Sequence, residues 1–413
     1  MRILSVNADG MIKGGATKVY VYGNQLLSGN DHIVAWLNIG AVPFDNEGNQ
    51  FVYNIPEFRE GNKLRKQINL SAGHIYSQPA RKLAERAMLE FRPEIVHVHN
   101  IQGHLSPAVL LPFRKHSVPI VQTLHDYRLL CPAIHFLSNG QVCEACKGKR
   151  YYHCALKRCR KGELLRSSVA ALGSYVSDYF YQYDKLISAY IAPSEFMRKK
   201  MVEYGYAPDK IHVLPNAYFG QVSASAGAKR EHILFAGRLS PEKGVDLLVR
   251  AAKGMNAAVN IAGDGSEREG LQALARQIGA SNVNFPGFLS SSELSHLYQT
   301  ALVTVLPSRW YENGPLVVFE SYANATPVVG ARIGAIPEFV DEGKTGFLFA
   351  PNDADDLHKV LKDCISHPDS LRQIGETSFA RVIAKYSPAA YLEGLENILS
   401  DVVKQELHEN CAK

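Results

Sequence analysis

No apolar run in these 413 residues is long enough to cross a bilayer; the longest, such as Ala301–Leu306, have the length of strands. A secretory leader is not expected either, since Met1–Val6 is a short strand-like stretch followed by Asn7, Asp9 and Gly10, without an extended apolar region or a cleavage site. There is no low-complexity tract, and 46% apolar with 21% charged residues is the composition of a folded chain. Net charge is only +5, too mild to imply a nucleic-acid partner. A G-x-G-x-x-G fingerprint does not follow the first strand, which lowers a dinucleotide-binding reading. The expectation is a cytoplasmic protein of two domains, because the chain is long for one hydrophobic core.

Charge is present locally where it is weak overall. Between Lys147 and Arg166 there are eight Lys or Arg against one acid, Glu163. A solvated basic loop accounts for them, and so does peripheral contact with an anionic membrane on its inner face or with an acidic acceptor, since each cation gains about 1 kcal/mol near such lipids.

Short β-branched runs alternate with amphipathic stretches through both halves. In the first half they are Arg2–Asn7, His32–Leu37, Ile95–His99, Pro119–Leu124 and Ala189–Ala192; in the second, His232–Ala236, Ala258–Ala262, Val283–Phe285, Val303–Pro307 and Pro327–Gly330. This alternation predicts an α/β fold of parallel sheets whose ligands bind beyond the carboxyl ends of the strands. Residues 216–229 are small and lack apolar periodicity, as an interdomain linker would. Residues 1–215 then form a first domain, with a cysteine-rich basic insert at 131–166, and 230–386 a second. Ser387-Pro388 opens a final helix, 387–413, expected to cross back to the first domain.

Four segments carry the chemistry. After the first strand, Gly14-Gly15 precede a helix and allow close backbone approach to a ligand. In the second half, Gly237-Arg238-Leu239 with Glu242-Lys243-Gly244 places two cations after a strand, where with oriented amides they suit a pyrophosphate without metal; the plain alternative is pairing with Glu242 and solvent. Gly263-Asp264-Gly265 is a further strand-end turn, fit for turn geometry or for lining a pocket. Finally, Glu312 and Glu320 stand eight residues apart across Gly314-Pro315, read as a helix start with proline at its first position. Eight residues of helix span roughly 12 Å, so the carboxylates act on different parts of one ligand, with Glu320 suited to a ribose diol. Asp353-Ala354-Asp355 resembles a metal-binding D-x-D, but capping of the helix that follows explains it better.

With Thr123-Leu124-His125-Asp126 added, these segments resemble the glycosyltransferases of family 4, over most of the chain and most specifically in its second half. The resemblance implies the GT-B fold, two Rossmann-like domains with parallel sheets facing across a cleft. It implies metal-independent, retaining transfer of a sugar from a nucleoside diphosphate donor, UDP or GDP, to a glycan or lipid-linked acceptor, as in surface polysaccharide biosynthesis. Arg238 and Lys243 would hold the pyrophosphate, Glu320 the ribose, and Glu312 with Asn313, Gly314, Pro315 and Leu316 the sugar; Gly15 and Gly263 would line the donor site and His125 would sit near the reacting centre. No cofactor is required for such catalysis.

The cysteines depart from the commonest family pattern. Cys143, Cys146, Cys154 and Cys159 have a spacing compatible with a structural zinc site; reduced free thiols are the alternative, and disulfides are disfavoured in a reducing cytosol. A nucleotide-sugar epimerase, a phosphorylase, or an inactive nucleotide-sugar-binding subunit could share the two-domain architecture. The phosphorylase of the glycogen type needs a pyridoxal lysine that has no evident counterpart here.

Overall fold

A computed structural model describes residues 1–12, 14–40, 51–55, 75–101, 105–222 and 230–411. Lys13, beside Gly14-Gly15, and residues 223–229 of the expected linker lie outside them. The chain divides into two compact units: Met1–Phe136, Glu144–Pro215 and Tyr391–Lys413 in the first, Leu137–Cys143 and Asn216–Ala390 in the second.

The first unit is built on a seven-stranded parallel sheet of β1 (Arg2–Asp9), β2 (Ile33–Ile39), β3 (Val52–Ile55), β4 (Ile95–Val98), β5 (Ile120–Thr123), β8 (Ala189–Ala192) and β9 (Ile211–Val213), in the order β3-β2-β1-β4-β5-β8-β9. A short antiparallel hairpin, β6 (Leu137–Ser138) with β7 (Gln141–Val142), belongs to the second unit. That unit's sheet has six parallel strands, β10 (His232–Ala236), β11 (Ala258–Ala262), β12 (Val283–Gly287), β13 (Ala301–Leu306), β14 (Val328–Ala331) and β15 (Gly346–Phe349), ordered β12-β11-β10-β13-β14-β15.

Continuous Val, Ile and Leu runs are what a parallel sheet covered on both faces requires. Every residue of β4, β5, β8, β10 and β13 is accordingly buried. In the second unit the helices Val245–Ala251, Arg268–Ile278 and Ala354–Ser366 close one core over β10, β11 and β13. Asp353 caps the last of these, its Oδ1 accepting from the amides of Asp355 (3.0 Å) and Asp356 (2.9 Å). In the first unit, Tyr391, Leu395 and Leu399 of the final helix, Pro388–Cys411, are buried, and His32 Nε2 meets Glu396 Oε1 at 2.7 Å.

Strand order reverses once in each unit, between β1 and β4 and between β10 and β13. Such a switch point leaves a crevice at the carboxyl ends of the strands. In the second unit the loops at that edge are joined main chain to main chain: Gly237 N–H donates to Ala262 O (3.0 Å), Leu239 N–H to Asp264 O (2.9 Å) and Gly263 N–H to Gly287 O (2.8 Å). Gly263 has φ +133°, and a Cβ there would run into the carbonyl oxygen of Gly237. Its glycine is a requirement of this close approach.

Gly263→Ala is therefore expected to destabilise the second unit by about 3 kcal/mol, through backbone strain and overlap together. Gly270 is exposed within Arg268–Ile278, and a methyl group there would meet nothing within 4 Å. It should respond oppositely, Gly270→Ala stabilising by about 1 kcal/mol. Urea unfolding followed by Trp310 fluorescence in a Trp36→Phe background separates the two; equal midpoints for both variants would refute the account of Gly263.

Candidate functional site

The carboxyl edge of the second sheet gathers the predicted residues around one buried acid. Glu312, 5% exposed, lies in the loop after β13. Its Oε1 accepts from Lys243 Nζ at 2.8 Å and from Ser308 Oγ at 2.6 Å. Burial alone would raise its pKa; the Lys243 ammonium and the Ser308 hydroxyl outweigh that and hold the carboxyl below its ordinary range. Lys243 also lies 5.2 Å from the ring centroid of Trp310.

Gly244 of the sequence motif, and Arg309, Asp246 and Ala335, which the sequence did not single out, build this arrangement. Gly244, at φ +63°, turns the chain directly after Lys243, and a Cβ there would strike the carbonyl oxygen of Pro307 at the end of β13. Arg309 forms a two-pronged pair with Asp246, 2.7 Å on each side, and its amide donates to Glu242 O at 2.9 Å. Ala335 N–H donates to Glu312 O at 2.9 Å, so the Glu312 loop is held from the β14 side as well. Nothing local in Asp246 to Leu248 marks Asp246 as the partner of Arg309; the fold brings the two together.

Arg238 is placed differently from Lys243. It is largely exposed and pairs with Glu242 at 2.7 Å, an oxygen it shares with the Ser240 hydroxyl. The plain alternative, pairing with Glu242, therefore describes Arg238 as it stands, while Lys243 reaches across to Glu312. Glu320 is half-buried, and its Oε2 accepts from the buried Tyr298 hydroxyl at 3.1 Å. Both burial and the Glu320 charge push Tyr298 well above its ordinary pKa, which keeps it a donor. The helix carrying Glu320 runs Leu316–Tyr322, with Pro315 as its cap residue at φ −73°, ψ 106°. Proline thus stands one position earlier than expected, because its ψ is extended. Asn313 is buried, and Gly314 O accepts from Asn216 Nδ2 at 3.1 Å. Asn216 and Ala217, at the start of the expected linker, are consequently packed into the second unit.

The first unit has its own cluster at the β1/β4 edge. Gly15 begins the helix Gly15–Ser28, and the Gly14 amide donates to Thr17 Oγ1 at 3.0 Å. His125, after β5, meets His99 of the loop after β4, Nε2 to Nδ1 at 2.8 Å, with the rings stacked at 5.1 Å. His97 Nε2 bonds Thr123 Oγ1 at 2.8 Å. Burial pushes His97 down to about 3 and His125 to about 4, and lowers His99 well below the ordinary value, so all three are neutral at neutral pH. A neutral imidazole carries one N–H. Among the described residues the buried Nε2 of His99 has no hydrogen-bond partner, and a stranded N–H is the rarer condition in folded proteins. Neutral His99 then donates from Nδ1 to Nε2 of His125, leaving His125 with its own proton on Nδ1.

The four cysteines of the expected zinc site, Cys143, Cys146, Cys154 and Cys159, form no disulfide among the described residues. Cys154 hydrogen-bonds Cys159, and that bond together with burial raises its thiol pKa. Cys143 follows the hairpin that belongs to the second unit, while Cys146, Cys154 and Cys159 belong to the first. Cys131, outside the expected set, is pushed up to about 11 by burial, against the opposing amides of Phe136, Ala133 and Ile134. Among the described residues no three His, Cys, Asp or Glu side chains form a group that could hold a metal ion.

Residues 51–218 match the family model described as Glycosyltransferase Family 4, and residues 222–381 the model described as Glycosyl transferases group 1. The chain is 35% identical over 150 residues to sulfoquinovosyl transferase SQD2 of Arabidopsis thaliana, 35% of this chain and 29% of that protein. It is 36% identical over 177 residues to the D-inositol 3-phosphate glycosyltransferase of Acidothermus cellulolyticus, 36% of this chain and 39% of that one. The match thus spans well under half the length of either relative. Among solved structures, Alr3699/HepE of Anabaena, in complex with UDP, superposes with TM-score 0.69 at 17% identity over 97% of this chain and 100% of that one. Sucrose-phosphate synthase of Thermosynechococcus elongatus gives 0.70 at 16% identity over 98% and 99%. At such identities the likeness is one of fold.

Two measurements check this geometry. Lys243→Met leaves Glu312 buried without its cation and should cost about 3 kcal/mol at neutral pH, with Glu312→Gln in the same chain recovering part of it. The sign follows from the lowered carboxyl: the pair stabilises fully above the ordinary carboxyl range and fades as pH falls through the lowered folded value, so the deficit of Lys243→Met should shrink in acid. A deficit independent of pH would contradict the pairing. Histidine carbon and nitrogen NMR shifts should show His125 as the Nδ1–H tautomer, changing towards Nε2–H in His99→Ala; an Nε2–H tautomer in the unaltered protein would refute the assignment.

Proposed function

Because the chain belongs to the family 4 glycosyltransferases of GT-B fold, we propose that it transfers a sugar from a nucleoside diphosphate to a glycan or lipid-linked acceptor, with retention and without a catalytic metal. The observation that carries this reading is the Lys243–Glu312 pair at the β10/β13 switch point, with Arg238 on the same strand end.

A diphosphate entering that crevice meets two cations with donors to give. An ammonium has three donors, so Lys243 keeps its bond to Glu312 while offering another N–H to a phosphate oxygen. Arg238, exposed and paired along its own turn, exchanges the Glu242 carboxylate for phosphate at little cost. Both then counter the charge that grows on the leaving diphosphate. Glu312 fixes Lys243 and presents the loop of Asn313 to Leu316 to the sugar, and Glu320 with Tyr298 receives the ribose hydroxyls.

Retention by a double displacement needs two carboxyls about 5 Å apart across the scissile bond. Glu312 is engaged by Lys243 and Ser308, and Glu320 sits within a helix beyond it, so neither is free to act as that nucleophile. A same-face displacement suits the site better. The acceptor oxygen bonds to the anomeric carbon as the carbon–oxygen bond to phosphate breaks, and the acceptor's proton passes to the leaving phosphate. UDP is supported as the nucleotide by the UDP complexes of the Anabaena protein, and surface polysaccharide assembly on the cytoplasmic face is the setting such an acceptor implies.

Glu320→Ala should weaken UDP binding about 10- to 100-fold, the value of hydrogen bonds to a charged acceptor, while leaving circular dichroism unchanged. Thermal shift against UDP, GDP and their sugars reads both affinity and choice of nucleotide. Unchanged UDP affinity in a folded variant would remove Glu320 from the ribose; no shift with any nucleotide would remove the donor site altogether.

A further inference from the structure

Of the nineteen large apolar side chains exposed among the described residues, seven fall between Tyr152 and Phe180. The helix Leu164–Tyr175 is turned inside out. It buries Ser167, at 0% exposure, and Ala171 on the side that packs against the short helix Tyr152–Leu156. The Ser167 hydroxyl is satisfied inside, donating to Glu163 O at 2.8 Å and accepting from the Arg160 amide at 3.0 Å. Leu165 and Leu172 meanwhile face outward, 74% and 51% exposed, with half-buried Val169 and Val176 between and beyond them. Those four stand at i, i+4, i+7 and i+11, one stripe of a helix about 17 Å long. Tyr179 and Phe180, in the π-turn Val176–Phe180, extend the apolar surface at its end. A helix of a water-soluble domain ordinarily presents the opposite face to solvent.

Cations edge this stripe. Arg158 and Lys161 are exposed in the turn that leads into the helix, and Arg166 is exposed on the helix beside Leu165. Lys149 lies 5.6 Å from the Tyr179 ring. The two acids of the region are already answered: Glu163 by Arg166 at 2.7 Å, Asp178 by the Tyr151 hydroxyl at 2.6 Å and by Lys149 at 3.4 Å.

We propose that the outward face of the Leu164–Tyr175 helix, with Tyr179, Phe180 and the flanking cations, is a docking surface for a bilayer rich in anionic lipid. The helix lies in the headgroup region with its leucines among the acyl chains and Arg158, Lys161 and Arg166 at the phosphates. No described helix is long and apolar enough to cross a membrane, so the surface anchors from one side. Charge decides against a second copy of the chain as the occupant. A two-fold contact through this face would set the same cations opposite one another, where like charges oppose association, whereas a sheet of phosphates complements them. This inference builds on the proposed transfer only in supplying the surface at which a lipid-linked acceptor would be met; vesicle binding requires neither donor nor acceptor.

Flotation of the full chain with vesicles of phosphatidylcholine, with and without phosphatidylglycerol, tests it. Binding is expected to the anionic vesicles and to fall about tenfold in Leu165→Glu/Leu172→Glu, and again in Arg158→Glu/Lys161→Glu, with salt weakening the interaction. An unchanged thermal shift with UDP shows that the variants are folded, and a nucleotide response without vesicle binding would overturn the docking surface while sparing the transfer reading. Equal binding to neutral and anionic vesicles, binding unaffected by the leucine substitutions, or a lipid-free dimer that those substitutions dissolve would each overturn it.

Discussion

A carboxylate taken out of water must be answered by a cation or by protonation, and in the second unit the answer is Lys243. Much of the surrounding structure is explained by that requirement. Gly244 lets the chain turn immediately after the lysine and sit against the end of β13; Arg309 and Asp246 join the same two segments a second time; Ala335 fixes the acid's own loop from the other side. The ionised Glu312 therefore sits in a frame held by main-chain and paired side-chain contacts rather than on a free loop. Such a frame can present loop amides and a lysine to a diphosphate without having to order itself first.

Electrostatics in the first unit run the other way. His97, His99 and His125 are kept uncharged by burial, and the network passes orientation rather than charge from one ring to the next. Neutral His125 with its proton on Nδ1 offers a donor, which separates its chemistry from that of a resting general base.

The alternation of apolar runs with amphipathic stretches made the parallel strands legible, and the ones missed were the sheet margins: β3 and β9 in the first unit, β15 in the second. These have three or four residues each, so periodicity has little to work on, and they gain their definition from pairing with a neighbour. At the site, the residue types of Glu312, Lys243 and Glu320 were readable from their spacing after strands. Their partners were not. Ser308, Arg309, Asp246 and Tyr298 contribute through contacts 4 to 63 residues away in sequence, and nothing local distinguishes them from ordinary loop or helix residues. The cysteine interval is silent on partners for the same reason: the bond between Cys154 and Cys159 comes from the fold. The outward leucines of the Leu164–Tyr175 helix were equally hidden, because amphipathic spacing reveals that a helix has an apolar face without revealing which way it points.

The helix Pro388–Cys411 has a consequence for the order in which the chain can mature. Tyr391, Leu395 and Leu399 are interior residues of the first unit, Glu396 meets His32 and Glu406 meets Arg114. A ribosome therefore delivers the final segment of this unit only after the whole second unit has been made. Until then His32 and Arg114 wait without these partners while the residues from Asn216 to Ala390 are synthesised.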